Sequence, residues 1–400
     1  MNQAPALNPL RGPGLRLLLA ILVVGLNLRG AITCVGPLLA TIQDTVGLNA
    51  SAAGLLASLP LFAFGFVSPY AAPLSRRLGM EGTLFLSLVA LLCGLGIRYL
   101  PGTLALYLGT AFIGVGIAIC NVLLPGLLRR EFPRHLALVT ALFTMALVTV
   151  GGLGSGLSIP LANWGGWRFS LVAWVLPAVL ALVVWAPRLR HNTRAVAPSA
   201  SAGASLWRSA LAWQVSLLMA CQSTAFYVLI AWLPSMLADL EGISAARAGW
   251  ILFVYQIFVL LSVMAVPLLI HRLEDQRWIG AGCSSLILLG FLGVMLYTEQ
   301  AMLWMILMGL GAGGSLVLAM TLFSLRVRTT EQAVSLSGMA QTVGYSMAAL
   351  TPILIGFIHD QTGSWTIPLL LMTGVAVLQV ITGYLAGRPL IVNENAAEPR

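Results

Sequence analysis

The stretch that decides the fold is residues 20–42, "AILVVGLNLRGAITCVGPLLATI", whose one charged side chain is Arg29. A helix needs about 20 apolar residues to cross a bilayer. This run is therefore long enough to span a membrane, and Arg29 lies near its middle. A permanent positive charge at that depth is costly, so it indicates either a partner or a function.

The rest of the chain has the same apolar character. Of its 400 residues, 59% are hydrophobic and 8% are charged, whereas about a quarter of a soluble domain is charged. This composition excludes a soluble globular protein and predicts a membrane protein that crosses the bilayer many times. The apolar windows predict twelve spans, at roughly 15–40, 51–73, 82–99, 103–124, 138–160, 169–187, 210–238, 245–270, 278–296, 301–325, 333–358 and 367–387.

The positions of the arginines predict the topology. All 21 basic residues are arginines. With a cytoplasmic N-terminus, seventeen of them fall on the cytoplasmic side, whereas Arg98, Arg168 and Arg247 fall on the other side. Since cytoplasmic loops of membrane proteins carry an excess of positive charge, we expect both termini in the cytoplasm. The net charge of +9 then reflects topology and gives little reason to expect a nucleic-acid partner.

The two halves of the chain follow one plan. At an offset of about 195 to 197 residues, Pro37 aligns with Pro234 and Arg129 aligns with Arg326. Such self-similarity indicates a duplicated unit. We therefore predict an N-terminal six-helix bundle over 1–187, a cytoplasmic linker over 188–208, and a C-terminal six-helix bundle with a short tail over 209–400.

Four stretches resemble the cyanate permease and 2-nitroimidazole transporter family of the major facilitator superfamily. They are "NLRGAITCVGPLLATI" at 27–42, "AGLLASLPLFAFGFVSPYAAPLSRRLG" at 53–79, "NVLLPGLLRREFP" at 121–133 and "LSGMAQTVGYSMAALTPILIGFIHDQTG" at 336–363. The resemblance implies an all-α fold of twelve transmembrane helices in two pseudo-symmetric bundles. It also implies a small-molecule substrate bound near the midplane between halves that alternate in access.

The titratable side chains predict little proton chemistry inside the membrane. All twelve acidic residues and all four histidines fall at span ends, in loops or in the tail, whereas proton relays in carriers place such groups at membrane depth. We therefore expect exchange or facilitated movement, and we expect organic cations to be poor substrates. The five cysteines lack CxxC spacing and are expected to be packing residues, so no metal and no cofactor is predicted.

Arg29 is the intramembrane charge that the sequence singles out. Its guanidinium stays protonated and offers a fork of donors suited to a planar or linear anion. On a continuous helix Gly25, Thr33 and Gly36 share its face, and these small residues would leave room for a ligand. We favour contact with the substrate. The alternatives are that Arg29 ties helices together through carbonyls and amides, or that it extends to an interface.

Neutral polar side chains elsewhere in the spans could complete a site around Arg29. For any of the amides a hydrogen bond between helices is as good an explanation as ligand contact, and Tyr345 is also well explained as a core aromatic. Asn27 points away from Arg29 on the wheel, so we expect it to pack. The candidate substrate-binding residues are Arg29, Thr33, Asn121, Thr144, Gln222, Tyr227, Tyr255, Gln256, Gln341 and Tyr345.

The repeat also bears on the charge of the substrate. Phe226 occupies the position that corresponds to Arg29 in the second half, and Gln341 corresponds to Thr144. A site with one cation and an apolar counterpart favours a small monoanion over a dianion.

A basic cluster at the cytoplasmic ends of the second and fourth spans is a candidate gate, formed by Arg76, Arg77, Arg130 and Glu131. Anchoring to lipid phosphates explains the same residues equally well. The superfamily motif that the chain resembles after the second span usually contains an acid, but Ser75, Arg76 and Arg77 stand there. Its usual salt bridge is therefore not carried over to this chain.

The sequence thus predicts a monomeric carrier in the lipid bilayer of a bacterial inner membrane. Its expected solute is a small anion or a weakly acidic planar compound, similar to cyanate or a nitroimidazole. The alternative is an exporter of neutral or cationic drugs. An enzyme would require a nucleophile with a base, or a metal cluster, and the predicted spans contain neither.

Overall fold

The computed structural model of the chain describes residue 9 and residues 12–48, 50–192, 206–243 and 245–392. Within these residues all regular secondary structure is helical, so the all-α prediction is confirmed. The chain forms two compact units, Met1–Ser199 and Ala200–Arg400. The division falls within 188–208, where residues 193–205 lie outside the described part of the chain.

The first unit is a bundle of helices that are apolar enough to lie in a bilayer, where a helix satisfies its own backbone hydrogen bonds. The three segments that precede α4 pack against α7, while α4 and α5 both pack against α6. The helices are α1 (Gly12–Gly25), α2 (Gly30–Thr33), α3 (Val35–Val46), α4 (Ala50–Leu78), α5 (Met80–Tyr99), α6 (Thr103–Glu131), α7 (Leu136–Val172) and α8 (Val175–Trp185).

Helix α7 reverses direction at Gly166. This glycine has φ 82° and ψ 164°, a backbone conformation that side-chain-bearing residues rarely adopt. The Ser170 hydroxyl donates a hydrogen bond to the Ser158 carbonyl at 2.9 Å, although twelve residues of straight helix would separate them by about 18 Å. The segment after Gly166 therefore folds back on the segment before it.

This reversal explains the number of apolar segments. The described residues contain eleven segments long and apolar enough to cross a membrane, and one of them, Pro133–Arg190, has 58 residues. That length is more than twice the roughly 20 residues that one crossing needs. The fifth and sixth predicted spans are both inside this segment, which is why twelve predicted spans appear as eleven.

The second unit is also a bundle of long apolar helices, but its first helix is continuous. Helix α13 begins with a capping box, in which the Gln332 backbone N–H donates to Thr329 Oγ1 at 3.2 Å and the Thr329 N–H donates to Gln332 Oε1 at 3.3 Å. The helices are α9 (Ala210–Glu241), α10 (Ala245–Arg272), α11 (Arg277–Leu296), α12 (Ala301–Leu325), α13 (Thr330–Thr362) and α14 (Thr366–Ala386).

Glycines bring the helices of each unit into close contact. A Cβ built on Gly94 of α5 would lie 2.7 Å from the Gly109 carbonyl oxygen of α6, and one built on Gly383 of α14 would lie 2.7 Å from the Gly280 carbonyl oxygen of α11. Small residues at such crossings let helix backbones approach each other, which is how helices associate in a membrane.

Candidate functional site

The first span is a broken helix, and Arg29 lies at the break. Helix α1 ends at Gly25, helix α2 begins at Gly30, and Arg29 between them has φ −132° and ψ −38°. Asn27 N–H donates to the Val24 carbonyl at 2.9 Å, and Leu28 N–H donates to the Gly25 carbonyl at 3.1 Å. These i to i−3 bonds make the last turn before Arg29 a tight 3-10 turn. The span predicted at 15–40 is present as Gly12–Leu39, but its helix is interrupted before Gly30 and is not continuous.

Helix α7 holds the short helix that follows the break. Thr33 Oγ1 donates to the Gly151 carbonyl at 2.9 Å, and Ser158 Oγ donates to the Cys34 carbonyl at 3.1 Å. A Cβ built on Gly154 would overlap Thr33 Oγ1, so only glycine allows this approach. A backbone interrupted within a membrane needs partners from neighbouring helices, and α7 supplies them.

The Arg29 side chain lies beside α7 and is half-buried. A Cβ built on Gly151 would lie 3.3 Å from Arg29 Cδ, so the lack of a side chain at position 151 leaves room for the aliphatic part of Arg29. The Arg29 carbonyl accepts backbone hydrogen bonds from Ile32 and Thr33, both at 3.0 Å. The cation is thus carried on the non-helical residue that starts a single helical turn.

The break also changes the face that the sequence assigned to Arg29. Gly25 does not leave room for a ligand, because a Cβ there would lie 3.2 Å from the Phe143 ring of α7. Gly36 is exposed, with no other atom within 4 Å of an added Cβ. Gly25 therefore does not open space beside Arg29, whereas room for a ligand at Gly36 stays a prediction.

Asn27 behaves as a packing residue. It is 2% exposed, and its Nδ2 donates to the Val23 carbonyl at 2.9 Å and to the Pro177 carbonyl at 3.1 Å. The side chain therefore ties α1 to α8, as the sequence led us to expect.

Two other candidates lie in the first unit. Asn121 is buried on α6, and Thr144 is buried on α7, where its hydroxyl donates to the Thr140 carbonyl at 2.8 Å. Thr144 follows Phe143, which contacts Gly25 of α1. Contact of Asn121 and Thr144 with a substrate stays a prediction.

In the second unit, aromatic side chains join α9 to α10. The rings of Phe226 and Tyr227 meet edge to face with centroids 5.2 Å apart, and the Phe226 and Tyr255 centroids are 6.5 Å apart. Tyr255 is fully buried, and Tyr227 is half-buried. The position that corresponds to Arg29 is therefore the centre of an aromatic contact.

The remaining candidates of the second unit are partly engaged in their own helices. Gln341 of α13 is 1% exposed, and its Nε2 donates to Ser337 Oγ at 2.9 Å. Gln222 Oε1 of α9 accepts weakly from Ser223 Oγ at 3.4 Å. Tyr345 is buried one turn after Gln341, and Gln256 is half-buried on α10. Their role in binding also stays a prediction.

The candidate gate is an ion-pair network at one end of the first unit. Arg130 Nη2 pairs with Glu131 Oε1 at 2.7 Å and with the carboxylate of Glu81, and Arg188 Nη2 lies 3.7 Å from Glu131 Oε1. Glu81 is fully buried, and its carbonyl accepts from Trp185 Nε1 at 3.1 Å. The sequence placed Glu81 only at a span end and did not recognise it as the partner of Arg130.

The structure separates the four predicted gate residues into two groups. Arg130 and Glu131 take part in the network, whereas Arg76 and Arg77 are exposed at the end of α4. An acid does serve this end of the bundle, but it comes from the start of α5, six residues after Ser75.

At the corresponding end of the second unit, an arginine donates hydrogen bonds to backbone carbonyls and to a glutamine side chain, and Asp275 interacts with it electrostatically. Arg326 is 5% exposed and donates to the Ala386 carbonyl at 3.0 Å, to the Gly387 carbonyl at 2.9 Å and to Gln276 Oε1. Burial lowers the pKa of the Arg326 guanidinium to about 10. These contacts fasten the end of α14 to the loops that precede α11 and α13.

A second buried arginine in the first unit was missed by the sequence. The sequence assigned Arg98 only to the outer side of the membrane and did not predict its burial, whereas it is 1% exposed inside the bundle. Its Nη1 donates to the Ala31 carbonyl at 2.9 Å, and its Nη2 donates to the Leu171 carbonyl at 3.1 Å. The available signal was its position in "LGIRYL", which is still within an apolar helix.

These features define a class of protein. The chain has two compact units whose helices are long enough to cross a membrane, and the first span is interrupted at the charged residue Arg29. This combination is typical of a transporter of small solutes, because discontinuous helices in transporters form binding sites at membrane depth. Residues 17–352 match the Major Facilitator Superfamily. The chain belongs to this superfamily, so it is a multi-pass membrane transporter and not an enzyme.

Individual relatives support the same assignment over nearly the whole chain. The uncharacterized transporter YycB of Bacillus subtilis is 42% identical over 376 residues, covering 93% of each chain. The 2-nitroimidazole transporter of Escherichia coli is 40% identical over 375 residues, covering 93% of this chain and 95% of its own. The cyanate transport protein CynX of E. coli is 28% identical over 369 residues, covering 90% and 96%.

Solved structures show the same fold at low sequence identity. The transporter FucP in its outward conformation has a TM-score of 0.73 at 16% identity, covering 93% of this chain and 98% of its own. The proton:xylose symporter XylE has a TM-score of 0.74 at 14% identity, covering 96% and 98%. The predicted two-bundle major facilitator fold is thereby confirmed.

Proposed function

We propose that this transporter moves a small solute of at most one negative charge, similar to cyanate or a nitroimidazole, by alternating access, and that Arg29 binds it. The observation that carries the proposal is a half-buried guanidinium at a break in the first span. A helix that is broken at a charged residue in a membrane is stable only where protein or an aqueous cavity surrounds the break. Substrate sites of transporters are built in such places.

The chemistry of Arg29 fits a small planar or linear anion. A guanidinium offers parallel N–H donors and carries its charge at every physiological pH. The corresponding position of the second unit is Phe226, which is 9% exposed among aromatic rings. The repeat position of Arg29 is thus apolar, which supports a monoanion or a weakly acidic neutral solute over a dianion that would need a cation from each half.

The relatives support the same solute class. One relative is named a 2-nitroimidazole transporter and another a cyanate transport protein. The alternative, an exporter of neutral or cationic drugs, is not favoured by either name. In that alternative the charge of Arg29 would also have no role in binding the solute.

The first test is a thermal-shift titration of the purified chain with sodium cyanate, sodium formate and 2-nitroimidazole. A ligand that binds the folded state raises its apparent stability by about 2.7 kcal/mol at a hundred times its dissociation constant. Arg29→Gln leaves a shorter, neutral side chain that still carries one NH2 donor group but lacks the charge and the guanidinium fork. The matched control is Arg16→Gln, because Arg16 is an exposed arginine on the same span.

We expect cyanate to stabilise the native chain and the Arg16→Gln control. In Arg29→Gln its affinity should fall by about 30-fold or more, because removal of one partner of a desolvated charge pair costs about 2 to 5 kcal/mol and each 1.4 kcal/mol is about tenfold. Equal cyanate responses in all three proteins would return Arg29 to a structural role.

We further propose that the protein is a monomer in a bacterial inner membrane with both termini in the cytoplasm. The support is the excess of arginine in the predicted cytoplasmic segments and the bacterial source of the relatives named above. A green fluorescent protein fused after residue 400 should fluoresce in cells, since it folds in the cytoplasm and not when exported through the general secretory route. A dark fusion at equal expression would contradict this topology, and mass measurement in detergent tests the monomer.

A further inference from the structure

Arg98 is a buried cation whose hydrogen bonds converge on the broken first span. It is the second-to-last residue of α5 and is 1% exposed. It donates to the Ala31 carbonyl of α2 at 2.9 Å and to the Leu171 carbonyl, beyond the reversal of α7, at 3.1 Å. Its Nη2 also lies 3.9 Å from Cys34 Sγ. One side chain thus joins three separate segments of the first unit.

These contacts differ from an ordinary ion pair. Among the described residues, the partners of Arg98 are carbonyl oxygens and a thiol, and none of them is a carboxylate. A buried cation without an acid is costly, so its retention calls for a specific task. The task visible here is to satisfy and hold backbone carbonyls beside an interrupted helix.

Arg98 acts close to Arg29 along the backbone. Ala31, which Arg98 holds, is two residues after Arg29 and lies in the four-residue helix α2, which continues through the α-helical conformation of Cys34 into α3. Because the chain is non-helical at Arg29, α1 does not fix the direction of α2. Its placement depends on α3, which follows it, and on lateral contacts, which include the Arg98 bond and the Trp174 ring against Gly30.

The second unit offers an internal comparison. Helix α11 spans Arg277–Leu296, and its second-to-last residue is Met295, where α5 has Arg98. The equivalent of the broken first span there, α9, runs uninterrupted over Ala210–Glu241. The buried arginine therefore occurs in the unit that has a broken first helix and is replaced by an apolar residue in the unit that does not.

We infer that Arg98 is a positioning residue that holds α2 and thereby sets the place of the Arg29 guanidinium in the transport cycle. The inference rests on the proposed role of Arg29 in binding the solute. Arg98 lies outside the predicted site, and it influences affinity for anions through the position of Arg29.

The test compares Arg98→Met, Arg98→Lys and the control Arg16→Met in the purified full-length chain. Methionine reproduces the residue of the second unit, whereas lysine keeps a charge that can donate to one carbonyl but lacks the guanidinium fork. Two measurements are made on each protein. The first is hydrogen–deuterium exchange of the backbone amides at 30–34 without ligand, and the second is the affinity for cyanate, formate and 2-nitroimidazole by thermal shift.

In Arg98→Met we expect exchange at 30–34 to accelerate about tenfold or more, because these amides open when α2 is released. Affinities should follow the ligand pattern of Arg29→Gln, with the ligand most affected by Arg29→Gln losing about tenfold. Arg98→Lys should fall between the native chain and Arg98→Met in both measurements, and Arg16→Met should match the native chain. If Arg98→Met does not fold, the intermediate values of Arg98→Lys decide the question.

The outcomes separate this inference from the proposed function. Unchanged exchange at 30–34 would overturn the inference, and so would an equal loss for all three ligands when Arg29→Gln is selective, because that is the behaviour of a general structural defect. No response of any ligand to Arg29→Gln would instead refute the proposed function. In that case the exchange measurement still decides whether Arg98 holds α2.

Discussion

The first helix of each unit shows what a buried charge requires of its surroundings. In the first unit the helix breaks after Gly25 and resumes at Gly30, with Arg29 at the interruption. In the second unit the equivalent helix α9 is continuous, and Phe226 takes the corresponding position among aromatic rings. At equivalent positions of the two repeats, a cation is therefore found where the helix is interrupted and an aromatic ring where the helix is continuous.

The hydrogen-bond donors on helices near the first helix also differ between the two units. The broken helix receives hydrogen bonds from Arg98 and Ser158. At the offset of 197 residues the second unit has Met295 and Ile355 in their places. Donors are present where carbonyls have been released and are absent where an intact helix uses its own carbonyls. The charge and the break are thus parts of one arrangement.

The largest expected effect comes from moving the charge without the break. Phe226→Arg would place a guanidinium in α9, where the backbone offers no free carbonyls and the rings of Tyr227 and Tyr255 surround it. An uncompensated buried charge costs about 3 to 5 kcal/mol. We expect the free energy of unfolding to fall by about that amount, measured by chemical denaturation in mixed micelles with circular dichroism.

The control for this variant is Phe226→Leu, which keeps an apolar side chain of lower volume. It should cost about 1 to 1.5 kcal/mol. A Phe226→Arg chain as stable as Phe226→Leu, with a new response to cyanate, would show that a charge in this fold does not need a broken helix.

A smaller effect is expected where α2 meets α7. In Gly154→Ala the added Cβ would overlap Thr33 Oγ1 and lie 2.8 Å from the Gly30 carbonyl. Since part of this obstacle is backbone, α2 must move, and overpacking of this kind costs about 1 to 3 kcal/mol. We expect that loss of stability together with weaker cyanate binding, because Arg29 moves with α2.

Gly36→Ala is the matched control, because Gly36 lies in α3 with open space around it. Alanine there should leave stability unchanged or raise it by up to about 1 kcal/mol, as expected from helix propensity. If Gly154→Ala behaves like Gly36→Ala in both stability and cyanate binding, the close contact of α2 with α7 is not needed to position Arg29.

The sequence predicted those features that hydropathy and repetition record. The spans, the duplicated plan and the intramembrane position of Arg29 all follow from runs of apolar residues and from one arginine inside such a run. The family resemblance in four motifs agreed with the later comparisons. These features are local or periodic, so they are visible without knowledge of tertiary contacts.

The break at Arg29 and the burial of Arg98 could not be predicted in the same way. No proline lies at 26–29 to interrupt the first helix. The contacts that hold it open come from Arg98, Ser158 and Trp174, which are more than 60 residues away in sequence. A helical wheel assumes that the helix continues, so it placed Gly25 beside Arg29 as open space, whereas the Phe143 ring lies there. Burial of Glu81 depends likewise on the distant Arg130.

The smallest expected effect concerns Thr33, which the sequence proposed as a substrate contact. Its hydroxyl makes its shortest hydrogen bond to the Gly151 carbonyl at 2.9 Å and also lies 3.2 Å from the Arg29 carbonyl, so it helps to join α2 to α7. Thr33→Val keeps the shape and removes this bond, which should lower the free energy of unfolding by about 0.5 to 1.5 kcal/mol. Thr33→Ser keeps the hydroxyl and should recover most of that loss.

The two variants also separate positioning from contact. If Thr33 acts by joining helices, cyanate affinity in Thr33→Val should fall by a factor of about three or less, as a small displacement of α2 implies. If its oxygen binds the solute, cyanate affinity should fall further while stability stays near that of Thr33→Ser. The second result would make the broken helix a source of neutral ligand contacts as well as of charge. The first result would mean that Thr33 joins helices and that Arg29 is the side chain of this broken helix that binds the solute.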